Sequence, residues 1–147
     1  MEEIEYSMAV PSDKDDIILL LSQSKLPFDD ISSHLPNFMV AKLKGKVIGV
    51  IGLEYCGDVS LGRSLAVASA FRRRGIAKGL YRQILVQAQI KGIKELYLLT
   101  TTAADFFTGL GFRKTVRESA PEAMRATWEF QNGCPITAVC MAKSIID

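Results

Sequence analysis

The spacing of apolar residues changes several times along the chain, and each change predicts a structural element. Three apolar segments at 38–43, 47–55 and 59–68 are rich in β-branched residues and separated by short turns, which predicts an antiparallel meander. In the segment 76–90, apolar side chains recur at four-residue spacing, as on the buried face of a helix. An apolar strand at 94–101 follows at once, so strand, helix and strand predict a parallel crossover.

The N-terminal part of the chain predicts one more strand and one more helix. Residues 3–10 alternate weakly between apolar and polar side chains, which is typical of an edge strand. The next segment is apolar and opens with Ser12, the predicted N-cap, followed three residues later by Asp15 as its capping partner.

The C-terminal part predicts a strand, an added helix and a closing strand. The strand covers 113–118, the helix runs from 119 to about 131, and the last strand lies at 135–143. We therefore expect one domain over residues 1–147. Strands exposed at the two ends of the sheet would permit a homodimer.

Composition excludes several classes of function. A chain of 147 residues with 48% hydrophobic and 23% charged residues is ordinary for one globular domain. Its net charge of +2 is too small to indicate a nucleic-acid partner. No apolar run approaches the roughly 20 residues of a membrane span, and no signal peptide is visible, so we expect a cytoplasmic protein without a membrane partner.

Three cysteines lie at no spacing typical of a metal site. Cys56, Cys134 and Cys140 are an odd number, which argues against a disulfide scaffold and fits a reducing compartment. Buried, inert thiols are the main interpretation. A cluster that binds a soft ion such as trivalent arsenic is the alternative, because soft ions prefer thiolate ligands.

A basic loop precedes the long helix. Gly75 and Ala77 allow a phosphate to approach the first helical amides, which have no intrahelical partner and carry the positive end of the helix dipole. Four basic side chains add positive charge around this loop: Arg72, Arg73, Arg74 and Lys78. Neither G-x-x-x-x-G-K-[ST] nor G-x-G-x-x-G is present, so the two commonest nucleotide loops are excluded. A solvated basic turn remains the alternative.

Two short motifs carry a resemblance to a known family. Arg72-x-x-Gly75-x-Ala77 resembles the [Q/R]-x-x-G-x-[G/A] signature of the GNAT acetyltransferases. The family's A-x-x-F-Y-x-x-x-G-F helix is similar to the later segment Ala103-x-x-Phe106-Phe107-x-x-x-Gly111-Phe112. Both motifs occur in the family's order, and together they cover about a third of the chain.

The resemblance implies a fold, a cosubstrate and a set of contacts. The fold would be an α+β layered one, with a mixed central sheet, a splayed strand pair and helices on both faces. The helix at about 119–131 would be an insertion relative to simpler members of the family, near the acceptor site. The cosubstrate would be acetyl-CoA, with no metal. A main-chain amide, of Ala66 or Val67, would hold the oxyanion. The implied coenzyme contacts are Leu65, Ala66, Val67, Arg72, Arg73, Arg74, Gly75, Ile76, Ala77, Lys78 and Phe107.

Candidates for the chemistry on the acceptor follow from single residues. Glu54 interrupts an apolar strand; it either faces solvent, orients a partner or acts as the base. Arg63 could pair with Glu54 or bind a substrate anion. His34, on a connection, is a surface residue or a substrate contact. Arg125 either pairs with Glu129 on a helix surface or contacts substrate.

One position departs from the family pattern. Phe107 stands where many relatives have the tyrosine that protonates the leaving thiolate, and phenylalanine cannot donate a proton.

Two longer sequence segments, at 98–112 and 120–130, resemble the arsenic-resistance branch of the GNAT family, the ArsN type. That branch implies acetylation of a small amine, such as an arsenic-containing or phosphinothricin-like amino acid. The alternatives are a non-catalytic acyl-CoA-binding module and a protein or peptide N-acetyltransferase.

Overall fold

The computed structural model describes residues 3–135 and 137–146. Its strands are β1 (Glu5–Met8), β2 (Phe38–Leu43), β3 (Lys46–Cys56), β4 (Val59–Val67), β5 (Glu95–Thr100), β6 (Arg113–Thr115) and β7 (Val139–Ser144). Its α-helices are α1 (Lys14–Gln23), α2 (Ile31–His34), α3 (Ile76–Ile90), α4 (Ala104–Gly109) and α5 (Glu122–Arg125). None of these helices combines the length and apolar character needed to cross a bilayer.

The strands are hydrogen-bonded in the order β1-β2-β3-β4-β5-β7-β6. Parallel and antiparallel pairs both occur, so the sheet is mixed. The chain divides into two compact units: residues up to Leu53 with Ser64–Gln87, and Glu54–Arg63 with the residues from Ala88 onward. β3 and β4 each contribute residues to both units.

In the first unit, helices pack on opposite faces of the sheet. Val50 of β3 shares a hydrophobic core with Ile17 and Leu21 of α1. The adjacent Gly49 points to the other face, because successive residues of a strand alternate. A Cβ at Gly49 would lie 3.0 Å from Cδ1 of Leu80 in α3, so the glycine lets this helix lie close to the strand.

The start of α1 differs from the prediction. The Asp13 side chain stabilises the segment that leads into α1. Its Oδ2 accepts a hydrogen bond from the Val10 N–H at 3.0 Å, and its Oδ1 lies 2.9 Å from Nζ of Lys42. The predicted capping pair of Ser12 and Asp15 is wrong, because a short 3-10 turn comes before the α-helix and shifts its first residue. A buried carboxylate therefore ties the helix start to β2.

In the second unit, β4 and β5 form the predicted parallel pair. Residues 59–61 lie opposite residues 95–97. β5 then pairs with β7, and β7 with β6, both antiparallel. β4 pairs with β5 through residues 59–61, and β4 continues to Val67 in the first unit.

The predicted helix over 119–131 is interrupted, so its continuity was a wrong expectation. α5 ends at Arg125, and a π-helical turn follows at Glu129–Gly133. Thr127 separates the two, because its hydroxyl donates to the Met124 carbonyl at 2.7 Å and accepts from the Phe130 N–H at 3.3 Å. Met124 and Phe130 still pack into the core of the second unit, so both short helical pieces are anchored.

Candidate active site

The loop before α3 leaves open space at its glycine. Arg73 and Gly75 have φ angles of 64° and 79°, in the left-handed region that favours glycine. A Cβ at Gly75 would meet no atom within 4 Å. The backbone conformation therefore favours glycine at position 75, and the space beside it is open.

The first turn of α3 presents main-chain donors at this loop. The Gly79 N–H bonds to the Gly75 carbonyl at 2.9 Å, which begins the helical ladder. The amides of the residues between them, 76–78, lie in the first turn, where an α-helix offers no acceptor. The Ile76 side chain is buried and the Lys78 side chain is exposed. Amides, helix dipole and a lysine together suit an anion with several oxygens.

Two of the three loop arginines are positioned by contacts within the first unit. Arg72 Nε donates to the Val67 carbonyl at 3.0 Å, which links the loop to the end of β4. The guanidinium carbon of Arg74 lies 5.4 Å from the centre of the Phe71 ring, a cation–π arrangement. All three arginine side chains are exposed, so their charge surrounds the helix start.

The end of β4 has an unusual backbone conformation. Ser64 has a φ of 61°, which a residue with a side chain adopts only at some cost. Such a residue turns the strand and redirects the amides that follow it. Ala66 and Val67 are buried, Leu65 is half-buried, and the Ala68 N–H bonds to the Ile48 carbonyl at 2.8 Å.

A buried cluster of three charged side chains lies in the second unit. Nη1 of Arg63 is 3.9 Å from Oε1 of Glu54, and its Nε is 3.8 Å from Oε1 of Glu129. The exposed side-chain fractions are 0% for Arg63, 9% for Glu54 and 5% for Glu129. Buried charges are stable only when paired, so each member depends on the others.

The cluster contains one predicted pair and one residue whose role was missed. The pairing of Glu54 with Arg63 is confirmed. One of the two alternatives for Arg125 was a pair with Glu129, four residues away, but the helix is interrupted between them. Arg125 instead donates from Nε to the Ala120 carbonyl at 3.0 Å, and its side chain is exposed. The signal that could have revealed Glu129 is a carboxylate flanked by two aromatic residues.

Two further predicted residues, Phe107 and His34, have defined neighbours in the structure. Phe107 of α4 is buried, with edge-on ring contacts to Phe106 at 5.1 Å and Phe112 at 5.5 Å between centroids. His34 of the first unit is half-buried, with Nε2 at 3.6 Å from Oδ2 of Asp30.

Comparison with known proteins decides the family. A family model described as an acetyltransferase (GNAT) domain matches residues 34–114, more than half of the chain. The chain belongs to the GNAT acetyltransferase family. It is an acetyl-CoA-dependent N-acetyltransferase. An uncharacterized N-acetyltransferase of Chlorobaculum tepidum is 30% identical to it over 117 residues, which cover 79% of this chain and 73% of that protein.

Two further matches are one curated protein and one solved structure. An amino-acid acetyltransferase of Pseudomonas fluorescens is 28% identical over 72% of this chain, and the match spans 25% of that protein. N-acetylglutamate synthase of Neisseria gonorrhoeae, solved with coenzyme A and N-acetyl-glutamate, has a TM-score of 0.86 at 19% identity. That match covers 99% of this chain and 36% of the synthase, so the GNAT acetyltransferase spans about a third of it. The predicted fold class is confirmed.

The thiols of this GNAT acetyltransferase are poorly ionised. Burial raises the pKa of Cys134 to about 12, and the negative charge of Glu129 adds to the rise. Burial also raises the pKa of Cys56 and of Cys140. A protonated thiol is a weak nucleophile and a weak metal ligand. The pKa shifts therefore favour the interpretation of these cysteines as inert packing residues.

Proposed function

We propose that this enzyme transfers the acetyl group of acetyl-CoA to the amine of a small amino acid-like molecule by direct attack. The observation that carries the proposal is the buried pair of Glu54 and Arg63. An amino acid carries an ammonium and a carboxylate on neighbouring atoms. A carboxylate and a guanidinium held side by side, away from water, complement both groups.

The coenzyme would be held by main-chain donors and by the basic loop. Its diphosphate would accept hydrogen bonds from the amides of Gly75, Ile76, Ala77 and Lys78, where the helix dipole favours an anion. Arg72, Arg73, Arg74 and Lys78 would neutralise its charge. The pantetheine arm would pair with the backbone of Leu65, Ala66 and Val67 as an added strand does, and Phe107 would line the thiol end.

The reaction would need one base and one oxyanion donor. Glu54 would take a proton from the acceptor ammonium, directly or through water. The free amine then attacks the thioester carbonyl carbon, a C–N bond forms, and the C–S bond breaks. The amide of Ala66 would hold the developing oxyanion. Because residue 107 is phenylalanine, the coenzyme thiolate leaves without a proton from that side chain; the attacking nitrogen loses its second proton to solvent, and the thiolate takes up a proton from solvent.

The acceptor would carry a second acidic group, as an arsenic-containing or phosphinothricin-like amino acid does. The support is the resemblance of residues 98–112 and 120–130 to the arsenic-resistance branch. Arg63 or Arg125 would bind an anionic group, with His34 as a further contact. The exposed guanidinium of Arg125 is available to a distal acidic head.

A panel of amines tests the proposal. Coenzyme A release is followed with a thiol reagent for amino acids, arsenical amino acids, phosphinothricin, polyamines and peptides. Turnover of amino acid-like members, lost in Glu54→Gln, is the expected result. Preferred turnover of peptides would contradict the proposal and favour a protein or peptide acetyltransferase. The matched control is Glu122→Gln, an exposed glutamate of α5.

A further inference from the structure

A cavity of about 390 Å³ lies beside β6, the last strand in the order of the sheet. Its walls include Thr115, Arg117 and Glu118 from one segment of the second unit, and Ala138 and Cys140 from another. Sites for small ligands have volumes of this order and combine apolar walls with a few polar groups. The cavity therefore has the size and the mixed lining of a subsite for a small chemical group.

The cavity shares a face of the sheet with Arg63. Cys140 of β7 lies opposite Thr115 of β6 and packs in one core with Leu61 of β4. Side chains two positions apart in a strand point to the same face, so Arg63 lies on the side of Leu61. The cavity wall at Cys140 and the buried guanidinium of Arg63 are therefore on one side of the sheet.

The thiol of Cys134 relates Arg117 of the cavity to Arg63. Burial raises the pKa of Cys134 to about 12 and the charge of Glu129 adds to the rise, whereas the charges of Arg117 and Arg63 both lower it. A charge shifts a pKa in this way when it lies near the titrating group. Arg117 and Arg63 are therefore neighbours of the same side chain.

Arg117 is held in place by two main-chain carbonyls. Its Nη1 donates to the Phe130 carbonyl at 3.3 Å, and its Nη2 donates to the Pro135 carbonyl. An arginine has five N–H donors, and a carbonyl does not neutralise its charge. Arg117 is half-buried, whereas Glu118 on the same wall is exposed, so water screens the carboxylate more than the guanidinium. The cavity thus contains a positioned cation with further donors.

We propose that Arg117 binds the distal acidic group of the acceptor in this cavity, while Arg63 binds the α-carboxylate. The inference rests on the proposed function, because it names the residue that recognises the second acidic group of the same acceptor. A positioned guanidinium suits the paired oxygens of a carboxylate, a phosphinate or an arsonate. Arg125 is the competing residue, but its side chain is exposed, and exposed ion pairs contribute little.

Two isosteric pairs of acceptors test the proposal in the wild-type enzyme. Glutamate and glutamine, like aspartate and asparagine, differ by one negative charge at the distal group, while the reacting α-amino group stays the same. We expect kcat/KM to be higher for the acid than for the amide in at least one pair, by about tenfold, because a hydrogen bond to a charged group is stronger than one to an amide. Equal values, or a preference for the amide in both pairs, would overturn the proposal without any variant.

Variants separate recognition of the acid from support of the chain. Arg117→Gln should lower the ratio of acid to amide about tenfold, toward one, whereas Arg117→Lys, which keeps the charge, should retain part of the preference. A purely structural role would lower activity for acid and amide equally and leave the ratio unchanged, which would overturn the proposal.

Two further arginines complete the design. Loss of the preference in Arg125→Gln, with the ratio of Arg117→Gln equal to that of the wild type, would assign the distal group to Arg125 and overturn the proposal. Arg113→Gln is the matched control, because this exposed arginine of β6 pairs with Glu95 at 3.1 Å. Its ratio should equal that of the wild type.

The proposed function and the inference fail differently. If the wild-type enzyme acetylates no amino acid although coenzyme A binds, the proposed function is wrong and the inference is wrong with it. If it acetylates these amino acids without preferring the acid, the amino acid acceptor stands and only the inference is wrong. Thermal unfolding of each variant verifies that it is folded; should Arg117→Gln be unfolded, Arg117→Lys and the wild-type ratios decide.

Discussion

Substituting Gly79 in the helix that presents the coenzyme loop gives a quantitative test of the packing. A Cβ at this position would lie 2.7 Å from Cζ and 3.2 Å from Cε1 of Tyr6, and closer still to its hydroxyl oxygen. In an open helix, Gly→Ala gains about 1 kcal/mol. Forcing a methyl group against the half-buried Tyr6 ring costs up to about 3 kcal/mol. We therefore expect Gly79→Ala to destabilise the protein by about 2 kcal/mol.

Because contact with the Tyr6 ring causes the destabilisation, the effect of Gly79→Ala on the free energy of unfolding should change sign when that ring is removed. In a Tyr6→Ala background, Gly79→Ala should stabilise the protein by about 1 kcal/mol, which gives a coupling of about 3 kcal/mol. Urea unfolding of the four proteins measures both values. Gly109→Ala in α4 is the matched control, because a Cβ there meets nothing within 4 Å. Stabilisation by Gly79→Ala with Tyr6 intact would refute the packing.

Three further predictions concern single residues. Asp13→Ala should lower the free energy of unfolding in urea by about 1–3 kcal/mol, because it removes a buried cap and the partner of Lys42; no change would contradict the cap. Ser64→Gly should be more stable than Ser64→Ala by about 1 kcal/mol, because only glycine adopts its φ of 61° freely; equal stability would argue against that backbone. Cys134, with its pKa raised to about 12, should resist alkylation at pH 8 in the folded protein and react after unfolding; rapid labelling of the native protein would oppose its assigned burial.

The local spacing of apolar residues was sufficient to predict several helices and strands. The meander, the long helix and the parallel crossover follow from hydrophobic period alone, and the structure confirms them. The loop before α3 was recognisable because Gly75 and the basic residues are adjacent in sequence. These features depend on contacts between near neighbours, which a sequence displays directly.

Features that depend on tertiary contacts were not predictable. The position of the Asp13 carboxylate depends on its contact with Lys42, a residue of β2. The interruption after α5 depends on the hydroxyl of Thr127, which competes with the helical ladder. The pairing of Glu129 with Arg63 joins residues 66 positions apart (129 − 63). Four-residue spacing suggested Arg125 instead, because spacing alone assumes a continuous helix.

The central claim is that main-chain amides near the end of β4 and at the start of α3 bind the coenzyme. Amide resonances of the ¹⁵N-labelled protein, recorded during titration with coenzyme A, test it most directly. The account predicts large shifts and slowed hydrogen exchange for Ala66, Val67, Ile76, Ala77 and Lys78. Saturation with coenzyme A that leaves these amides unshifted and exchanging at their original rates would contradict it.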